Sequence, residues 1–395
     1  MLPLEGLRVV ALEHAVAAPI CTRHLADLGA EVIKIERVGD GDFGRAYDTF
    51  VHGQSSFFVW LNRGKRSLTL DVKHPQGREV LGRLVAGADV LVQNLAPGAT
   101  ARLGLTWEKL AAVNPGLVLC DISGYGDSGP YARKKAYDLL IQAESGLISV
   151  TGTPEAPSRV GISVADIATG MYAQAGVLAA LLRRARARSG KPMGAHVKVA
   201  MLDAVSEWMT AQVLRYAYDG TLTPRVPTSH PQLAPYGAHR TRDGQVIFGL
   251  QNEREWATFC AKVMASDDLT TDPRFATNNA RCAHKAELTA LIEAHFADQT
   301  AAEVTALLDR AGIANGRLNG PAEVWNHPQF AARDRWREVL TPGGPIRALL
   351  PPVTFEDVEA TMGPVPALGA DTDAVLGELG YAAADIAALR AAGVV

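Results

Sequence analysis

The chain has 395 residues, of which 48% are hydrophobic, and this composition predicts a large buried core and two domains. Charged residues make up 21% and the formal net charge is −3, which excludes the strongly basic surface of a nucleic-acid-binding or membrane-surface protein. Four isolated cysteines, an N-terminus without a basic leader and the lack of a long uncharged apolar window predict a soluble cytoplasmic protein with reduced thiols and no membrane span.

The first half of the chain alternates predicted strands with predicted helices over short loops. Strands are predicted at residues 7–13, 31–36, 67–72, 89–94, 117–123 and 196–201. Helices are predicted at residues 19–28, 75–88 and 107–113, from residue 166 to Ser189 and Gly190, and at residues 202–220. This alternation predicts an α/β fold with a largely parallel sheet.

The second half begins with a proline-rich stretch at residues 221–235, which predicts a linker. A strand at 245–250 and helices at about 253–264, 286–296 and 301–312 then predict a compact second unit. Strand-like segments return at 347–358, and a closing helix is predicted at 371–380.

One carboxylate, Asp166, stands between two apolar stretches in the segment GISVADIATGMYAQAG at residues 161–176. One interpretation makes Asp166 the N-cap of the long helix that follows, since aspartate is among the preferred capping residues. The other makes it a nucleophile whose charge is stabilised by the helix N-terminus. The segment alone leaves both interpretations open.

Three common kinds of site find no support in the sequence. The segment GYGDSGP at residues 124–130 contains G-x-G-x-x-G, but Pro130 and a basic run follow, which favours a glycine-rich turn over a dinucleotide site. The ten histidines are dispersed without metal-ligand spacing, and no G-x-S-x-G nucleophile elbow occurs. We therefore expect no metal and no permanently bound cofactor.

Several cations lie at the junctions between predicted strands and helices. Ligands of open α/β sheets bind outside the carboxyl ends of the strands, where several cations would suit a multiply phosphorylated ligand. Ordinary solvated surface charge is the alternative, and spacing alone favours it. The cations are Arg37, Lys65, Arg66, Arg102, Lys134 and Lys135.

Five segments together resemble the class III CoA-transferase family, the CaiB/BaiF type that includes formyl-CoA transferases. They occur in family order over nearly the whole chain: LEGLRVVALEHAVAAPICTRHLADLGAEVIKIER, NRGKRSLTLDVK, ADVLVQNLAPGATARLGL, DISGYGDSGPYA and LGADTDAVLGELG. The resemblance implies a large Rossmann-like domain from both chain ends (1–220 and 326–395) and a smaller α+β domain from 221–325. It also implies an interlocked homodimer.

The resemblance assigns the nucleophile to Asp166, which matches the family aspartate before a long helix. Such an aspartate attacks an acyl-CoA thioester, and transfer proceeds through an aspartyl-acyl anhydride and an aspartyl-CoA thioester. Asp138 matches a carboxylate position beside the nucleophile. CoA, bound as a thioester substrate, is expected to contact Val16, Ala17, Arg37, Leu70, Asp71, Val72, Lys73, Asn94, Leu95, Ala96, Arg102, Lys135, Ala136 and Tyr137. Val16 replaces a glutamine of the formyl enzymes.

Two other functions stay open on the sequence. An α-methylacyl-CoA racemase of the same superfamily uses a histidine base, but this chain has Tyr137 at the matching position. A non-catalytic CoA-binding protein would bind the nucleotide without any transfer.

The expected acceptor follows from residues 228–256, which lack the glycine-rich loop of formyl- and oxalate-type enzymes. This stretch is similar to transferases of C4–C5 dicarboxylates: succinate, itaconate, mesaconate, citramalate or malate. A second carboxylate on the substrate needs a cation, for which Arg225, His230 and Arg240 are the candidates.

Overall fold

Six parallel strands form the sheet at the centre of the first of two units into which the chain divides. The structure is a computed structural model that describes residues 1–187 and 193–395. Unit 1 comprises Met1–Leu147, Arg159–Ala211 and Ala332–Val395, and unit 2 comprises Ile148–Ser158 and Gln212–Ala331. The predicted domain boundaries at 220/221 and 325/326 stay a prediction.

The strands of the large sheet are β1 (Arg8–Leu12), β2 (Glu31–Glu36), β3 (Lys65–Thr69), β4 (Val90–Gln93), β5 (Val118–Ser123) and β6 (Ala195–Ala200). Their order is β3-β2-β1-β4-β5-β6, and each neighbouring pair is parallel. The strands are mostly buried runs of β-branched and aliphatic residues, as in a sheet covered on both faces. The order reverses between β1 and β4, which makes a doubly wound sheet with its switch point there.

The helices up to the end of the large sheet are α1 (Ala17–Asp27), α2 (Ser56–Asn62), α3 (Pro75–Ala86), α4 (Ala99–Arg102), α5 (Trp107–Val113), α6 (Asp138–Glu144), α7 (Val164–Ala185), α8 (Met201–Trp208) and α9 (Thr210–Asp219). Short 3₁₀ helices lie at Phe43–Ala46, Leu147–Val150 and Asp267–Thr270. The predicted helix over 202–220 is two helices that meet at Met209. The predicted end of the long helix at Ser189 and Gly190 lies outside the described residues.

Helix α7 is the long core helix of unit 1. Its mean hydropathy of 1.3 over its most apolar window and its 22 residues suffice on composition for a membrane span, although the sequence predicts no such span. Its buried residues pack on α1, β5 and β6, as the apolar face of a core helix does. We therefore interpret α7 as a core helix.

Unit 2 contains a small antiparallel sheet of β7 (Tyr236–Arg240), β8 (Gln245–Gly249) and β9 (Asn315–Gly316), in the order β7-β8-β9. Its helices are α10 (Glu253–Lys262), α11 (Asn278–Ala283), α12 (Lys285–Phe296), α13 (Ala301–Ala311), α14 (Pro321–Trp325) and α15 (Pro328–Ala332). An aromatic core of Phe248, Trp256, Phe259 and Phe296 joins the sheet to these helices.

The C-terminal segment returns to unit 1 as the hairpin of β10 (Trp336–Val339) and β11 (Ile346–Leu349), followed by α16 (Thr372–Glu378) and α17 (Ala383–Ala391). The Ser67 main-chain N–H donates to Asp371 Oδ2 at 2.8 Å, and the Thr69 N–H donates to Thr372 Oγ1 at 3.1 Å. These bonds give acceptors to two main-chain N–H groups of β3, which is an edge strand of the large sheet. Strand β11 ends before Pro351, which has no N–H for a sheet ladder.

Candidate active site

The loops at the carboxyl ends of β1 to β4 lie along one edge of the sheet because these strands are parallel. At the switch point, the His14 main-chain N–H donates to Asn94 Oδ1 and the Asn94 side-chain amide donates to the His14 carbonyl, both at 2.9 Å. The structure thus brings the segments around Val16 and Asn94 together. Arg37 follows β2 directly, and Leu70 to Lys73 follow β3.

The remaining predicted CoA residues lie beyond β4 and β5. Arg102 ends α4, the helix after β4, and the segment Lys135 to Tyr137 lies between β5 and α6. Ala136 packs so closely on Gly124 that a Cβ added to Gly124 would lie 2.2 Å from the Ala136 Cβ. This contact holds the segment against the residue that follows β5. No helix opens at the GYGDSGP turn, since α6 begins only at Asp138.

The structure separates the candidate phosphate-binding cations into two groups. Lys65 and Arg66 lie inside β3, where Lys65 pairs with Glu13 and Arg66 with Glu31 and Glu378, and Lys134 pairs with Glu144. These three cations are therefore already paired with carboxylates of this chain. Four exposed cations form no ion pair within the described residues: Arg37, Lys73, Arg102 and Lys135.

Three predicted CoA residues have buried side chains: Val16, Ala17 and Leu70 are each at most 3% exposed. A ligand at this edge would therefore meet them through their main chain. Val72 and Leu95 also pack partly into the hydrophobic core of unit 1. These five positions are predicted as CoA contacts from the family resemblance alone, since their apolar side chains offer no group that would bind CoA.

Asp166 lies in the first turn of α7, half-buried, at its third residue. Ser163 is the N-cap, so the interpretation of Asp166 as the N-cap is wrong. Burial, and secondarily the charge of Asp138, raise the pKa of Asp166 to about 7. Within the described residues, no side chain or main-chain group donates a hydrogen bond to its carboxylate. In that part of the chain the Asp166 carboxylate thus has no hydrogen-bond partner, and its two oxygens are available for a reaction.

Asp138 performs the capping that Asp166 does not. Its Oδ1 accepts the Ala165 main-chain N–H at 2.8 Å, which is one of the free donors in the first turn of α7. Its Oδ2 accepts the side-chain amide of Gln142 at 2.7 Å. The helix N-terminus therefore has a charged cap from α6, while the carboxylate on α7 stays free.

Tyr47 is a residue near the site that sequence reasoning missed. Burial and the charges of Asp42 and Asp166 raise the pKa of its phenol to about 12. The ring packs edge-on against Phe57, with 5.7 Å between the centroids, and the side chain is 48% exposed. Tyr47 is therefore a half-exposed phenol close enough to Asp166 to feel the charge of its carboxylate. No spacing in the sequence links it to Asp166.

A buried charge cluster underlies the first loop. Lys34 Nζ lies 3.3 Å from Glu13 Oε1 and 2.8 Å from Asp42 Oδ2, and Lys65 Nζ lies 2.7 Å from Glu13 Oε1. Asp42 Oδ1 accepts the Ala15 N–H at 3.2 Å, and Ala15 has φ of 61°, a left-handed conformation that costs energy for alanine. The cluster therefore holds the strained loop between β1 and α1.

The three candidates for a substrate's second carboxylate lie in unit 2 and are already engaged. Arg225 donates to the carbonyls of Thr153 and Pro154, both at 2.8 Å, and Arg240 pairs with Glu293 at 2.7 Å. His230 stacks on Tyr236 at a centroid distance of 5.3 Å. Neither arginine in this group is a free cation, so the expectation that one of them binds the carboxylate is not supported. Across the described part of the chain, no cluster of His, Cys, Asp and Glu is placed to hold a metal.

Gly170 sets the distance between α7 and α1, one turn after Asp166. A Cβ at this position would lie 2.1 Å from Ile20 Cγ2 and 2.5 Å from the Ala17 carbonyl oxygen. We expect Gly170→Ala to push the two helices apart and lower kcat/KM about 100-fold, since displacements of about 1 Å have such effects. Steady-state kinetics on the purified variant measures this.

Gly82→Ala is the matched control. Gly82 also lies within a helix, α3, but a Cβ there meets nothing within 4 Å. The control is expected to keep full activity and to gain about 0.5–1 kcal/mol of unfolding free energy. Equal activity of the two variants would contradict the role of Gly170.

Comparisons with known proteins agree on one family. The model of CoA-transferase family III matches residues 4–372. The chain is 37% identical over 350 residues to the acetyl-CoA:oxalate CoA-transferase of Acetobacter aceti, covering 87% of this chain and 89% of that protein. It is 33% identical over 383 residues to the succinyl-CoA:glutarate CoA-transferase of Mus musculus, covering 96% and 87%. The crystal structure of a CAIB/BAIF family protein from Brucella suis matches with a TM-score of 0.83 and 36% identity, covering 96% of this chain and 99% of that one.

Proposed function

This chain belongs to CoA-transferase family III, and from that membership we propose that it moves CoA from an acyl-CoA to a C4–C5 dicarboxylic acid, with Asp166 as the covalent nucleophile. The observation that carries the proposal is the Asp166 carboxylate at the N-terminus of α7, which is half-buried and has no hydrogen-bond donor among residues 1–187 and 193–395. The names of two relatives, which act on oxalate and on glutarate, support a dicarboxylate.

The proposed reaction begins with attack of an Asp166 oxygen on the thioester carbonyl carbon. The carbon–sulfur bond breaks, CoA leaves as a thiolate, and a mixed anhydride forms. The thiolate then attacks the aspartyl carbonyl, which releases the first acid and leaves an aspartyl-CoA thioester. The acceptor carboxylate repeats the exchange in reverse, so that the new acyl-CoA leaves and Asp166 is free again.

Three features of unit 1 support this mechanism. A carboxylate is a better nucleophile when it is more basic, and burial together with Asp138 raises the pKa of Asp166 to about 7. Asp166 lies in the first turn of α7, where the positive end of the helix dipole favours negative charge that develops during the reaction. The phosphates of CoA can bind Arg37, Lys73, Arg102 and Lys135, which form no ion pair in the part of the chain that the structure describes.

The proposal includes further parts that rest on the resemblance and the composition. We propose an interlocked homodimer in the cytoplasm, with no permanently bound cofactor and with CoA thioesters as substrates. The acceptors proposed from the resemblance are succinate, itaconate, mesaconate, citramalate and malate, and the name of a relative adds glutarate.

A panel of acids tests the proposed substrate class. The enzyme is incubated with succinyl-CoA and each proposed acceptor, with isotope-labelled succinate for the identity exchange and with oxalate and acetate for comparison. Mass spectrometry of the acyl-CoA products is expected to show transfer to at least one C4–C5 dicarboxylate at least tenfold faster than to acetate. Transfer to acetate alone would contradict the substrate class. Exchange of the α-proton of a 2-methylacyl-CoA with deuterated water would instead indicate a racemase.

A further inference from the structure

Two carboxylates stand at the N-terminus of α7, and they differ in their hydrogen bonds. Asp138 accepts bonds from the Ala165 N–H at 2.8 Å and the Gln142 amide at 2.7 Å. Asp166 accepts none within the described residues. Both oxygens of Asp138 are thus engaged by hydrogen-bond donors, whereas burial raises the pKa of Asp166. The hydrogen bonds therefore distinguish the two groups although both are aspartates.

Gln142 is the residue that produces this asymmetry on α6. Its side chain is 0% exposed, and Asp138 and Gln142 are four residues apart, on the same face of the helix. Gln142 Oε1 accepts the Val160 main-chain N–H at 2.8 Å. That bond fixes the orientation of the amide, because a flipped amide would face the Val160 N–H with its own donors and Asp138 with its oxygen. Nε2 must therefore point to Asp138.

Among the described residues around the Gln142 side-chain amide, Asp138 is the charged group that the amide contacts. Helices α7 and α8 pack against α6 through an apolar cluster that contains Ile141, Ala165, Ala168, Met201 and Val205. The amide also joins two segments, since Nε2 lies 3.4 Å from the carbonyls of Val160 and Ile162, which immediately precede α7. One buried side chain thus links the cap of α7 to the segment that leads into it.

We propose that Gln142 is a positioning residue of the transfer reaction, which holds Asp138 as the charged cap of α7 and so leaves Asp166 as the attacking carboxylate. This inference rests on the proposed function of the same site. Gln142 acts through Asp138 and does not itself touch the substrate.

Two substitutions test this role through the pH dependence of kcat/KM. In the wild type, kcat/KM is expected to rise with pH and to level off above about 7, because Asp166 attacks only when ionised. Gln142→Met keeps the length of the side chain but removes the hydrogen bonds of the amide, and we expect kcat/KM to fall about 10- to 100-fold at every pH. The KM for acyl-CoA should change less than threefold.

Gln142→Glu is tested by the shape of the pH profile of kcat/KM, which a purely structural role of Gln142 would leave unchanged. A protonated glutamic acid can donate to Asp138 and accept from Val160, as glutamine does, whereas an ionised glutamate repels Asp138. We therefore expect a bell-shaped profile with activity recovered on the acidic side and lost at high pH. The urea unfolding midpoint is measured for each variant, and if Gln142→Met does not fold, the shape of the Gln142→Glu profile decides.

The outcomes separate the inference from the function on which it rests. Activity of Gln142→Met within threefold of the wild type, or a Gln142→Glu profile of wild-type shape, would overturn the inference while the transferase function stands. A wild type that transfers CoA to none of the acids would overturn the proposed function itself. The bell-shaped profile together with the loss in Gln142→Met supports the inference.

Discussion

Replacing Asp166 with alanine is expected to lower the rate of CoA transfer by roughly 10⁴-fold or more, since removal of a covalent nucleophile has effects of that size. CoA binding should change less than threefold, because the four unpaired cations lie in other segments of unit 1. Steady-state kinetics gives the first quantity and calorimetric titration with CoA gives the second. Retained turnover in this variant would remove Asp166 from the mechanism.

Trapping the intermediate identifies the reacting side chain directly. Hydroxylamine added during turnover converts an aspartyl anhydride or thioester into a hydroxamate, which mass spectrometry locates within a peptide. The modification is expected on the peptide that contains Asp166 and should be absent without acyl-CoA. A hydroxamate on Asp138, and none on Asp166, would show that Asp138 is the nucleophile and would contradict the proposal.

Asp166→Asn is the matched variant for the folding control. A carboxylate whose pKa is raised from 3.8 to about 7 in the folded protein weakens the fold when it is ionised. The amide removes this cost, so at pH 8 Asp166→Asn should be more stable than the wild type by about 1–2 kcal/mol, after discounting for partial exposure. The gain should diminish as the pH falls from about 7 and vanish below about 4. A variant that is inactive and more stable cannot owe its inactivity to unfolding.

The alternation of strands and helices could be predicted from the sequence because each strand is a short apolar run bounded by turn residues. The β2 segment EVIKIE is predicted at its observed bounds, Glu31–Glu36. Its Lys34, however, is buried between Glu13 and Asp42, and no local pattern shows where those partners lie. Helix α2, with the sequence SFFVWLN, was missed because it has no polar face to give a helical period.

The site was predictable only in part, for a related reason. The resemblance identifies Asp166 as a residue of interest, but its free carboxylate depends on a cap from Asp138, 28 residues earlier in the chain. Arg37 and Arg66 look alike in the sequence as cations at strand ends. Only the fold shows that Arg66 is engaged by Glu31 and Glu378. Pairing across the sheet, which is long-range in sequence, decides which charges remain for a ligand.

The buried Lys34 gives the second large expected effect. Lys34 is 0% exposed and is the cation that lies 2.8 Å from Asp42 Oδ2. Lys34→Met is expected to lower the unfolding free energy by about 3–5 kcal/mol, because removing one partner leaves the other as an uncompensated buried charge. Urea denaturation monitored by circular dichroism measures the change. The matched control is Lys198→Met, whose half-exposed ion pair with Asp127 is worth about 0–1 kcal/mol.

A double variant separates the contribution of the Lys34 charge from that of its packing. In Lys34→Met, Asp42 carries an unpaired charge, whereas Asp42→Asn in the same chain removes that charge and retains a side-chain oxygen for the Ala15 and Gly44 N–H groups. Lys34→Met with Asp42→Asn should therefore be more stable than Lys34→Met alone, with a coupling of about 1–3 kcal/mol. A double variant as unstable as the sum of the single ones would show that Lys34 contributes packing and not charge.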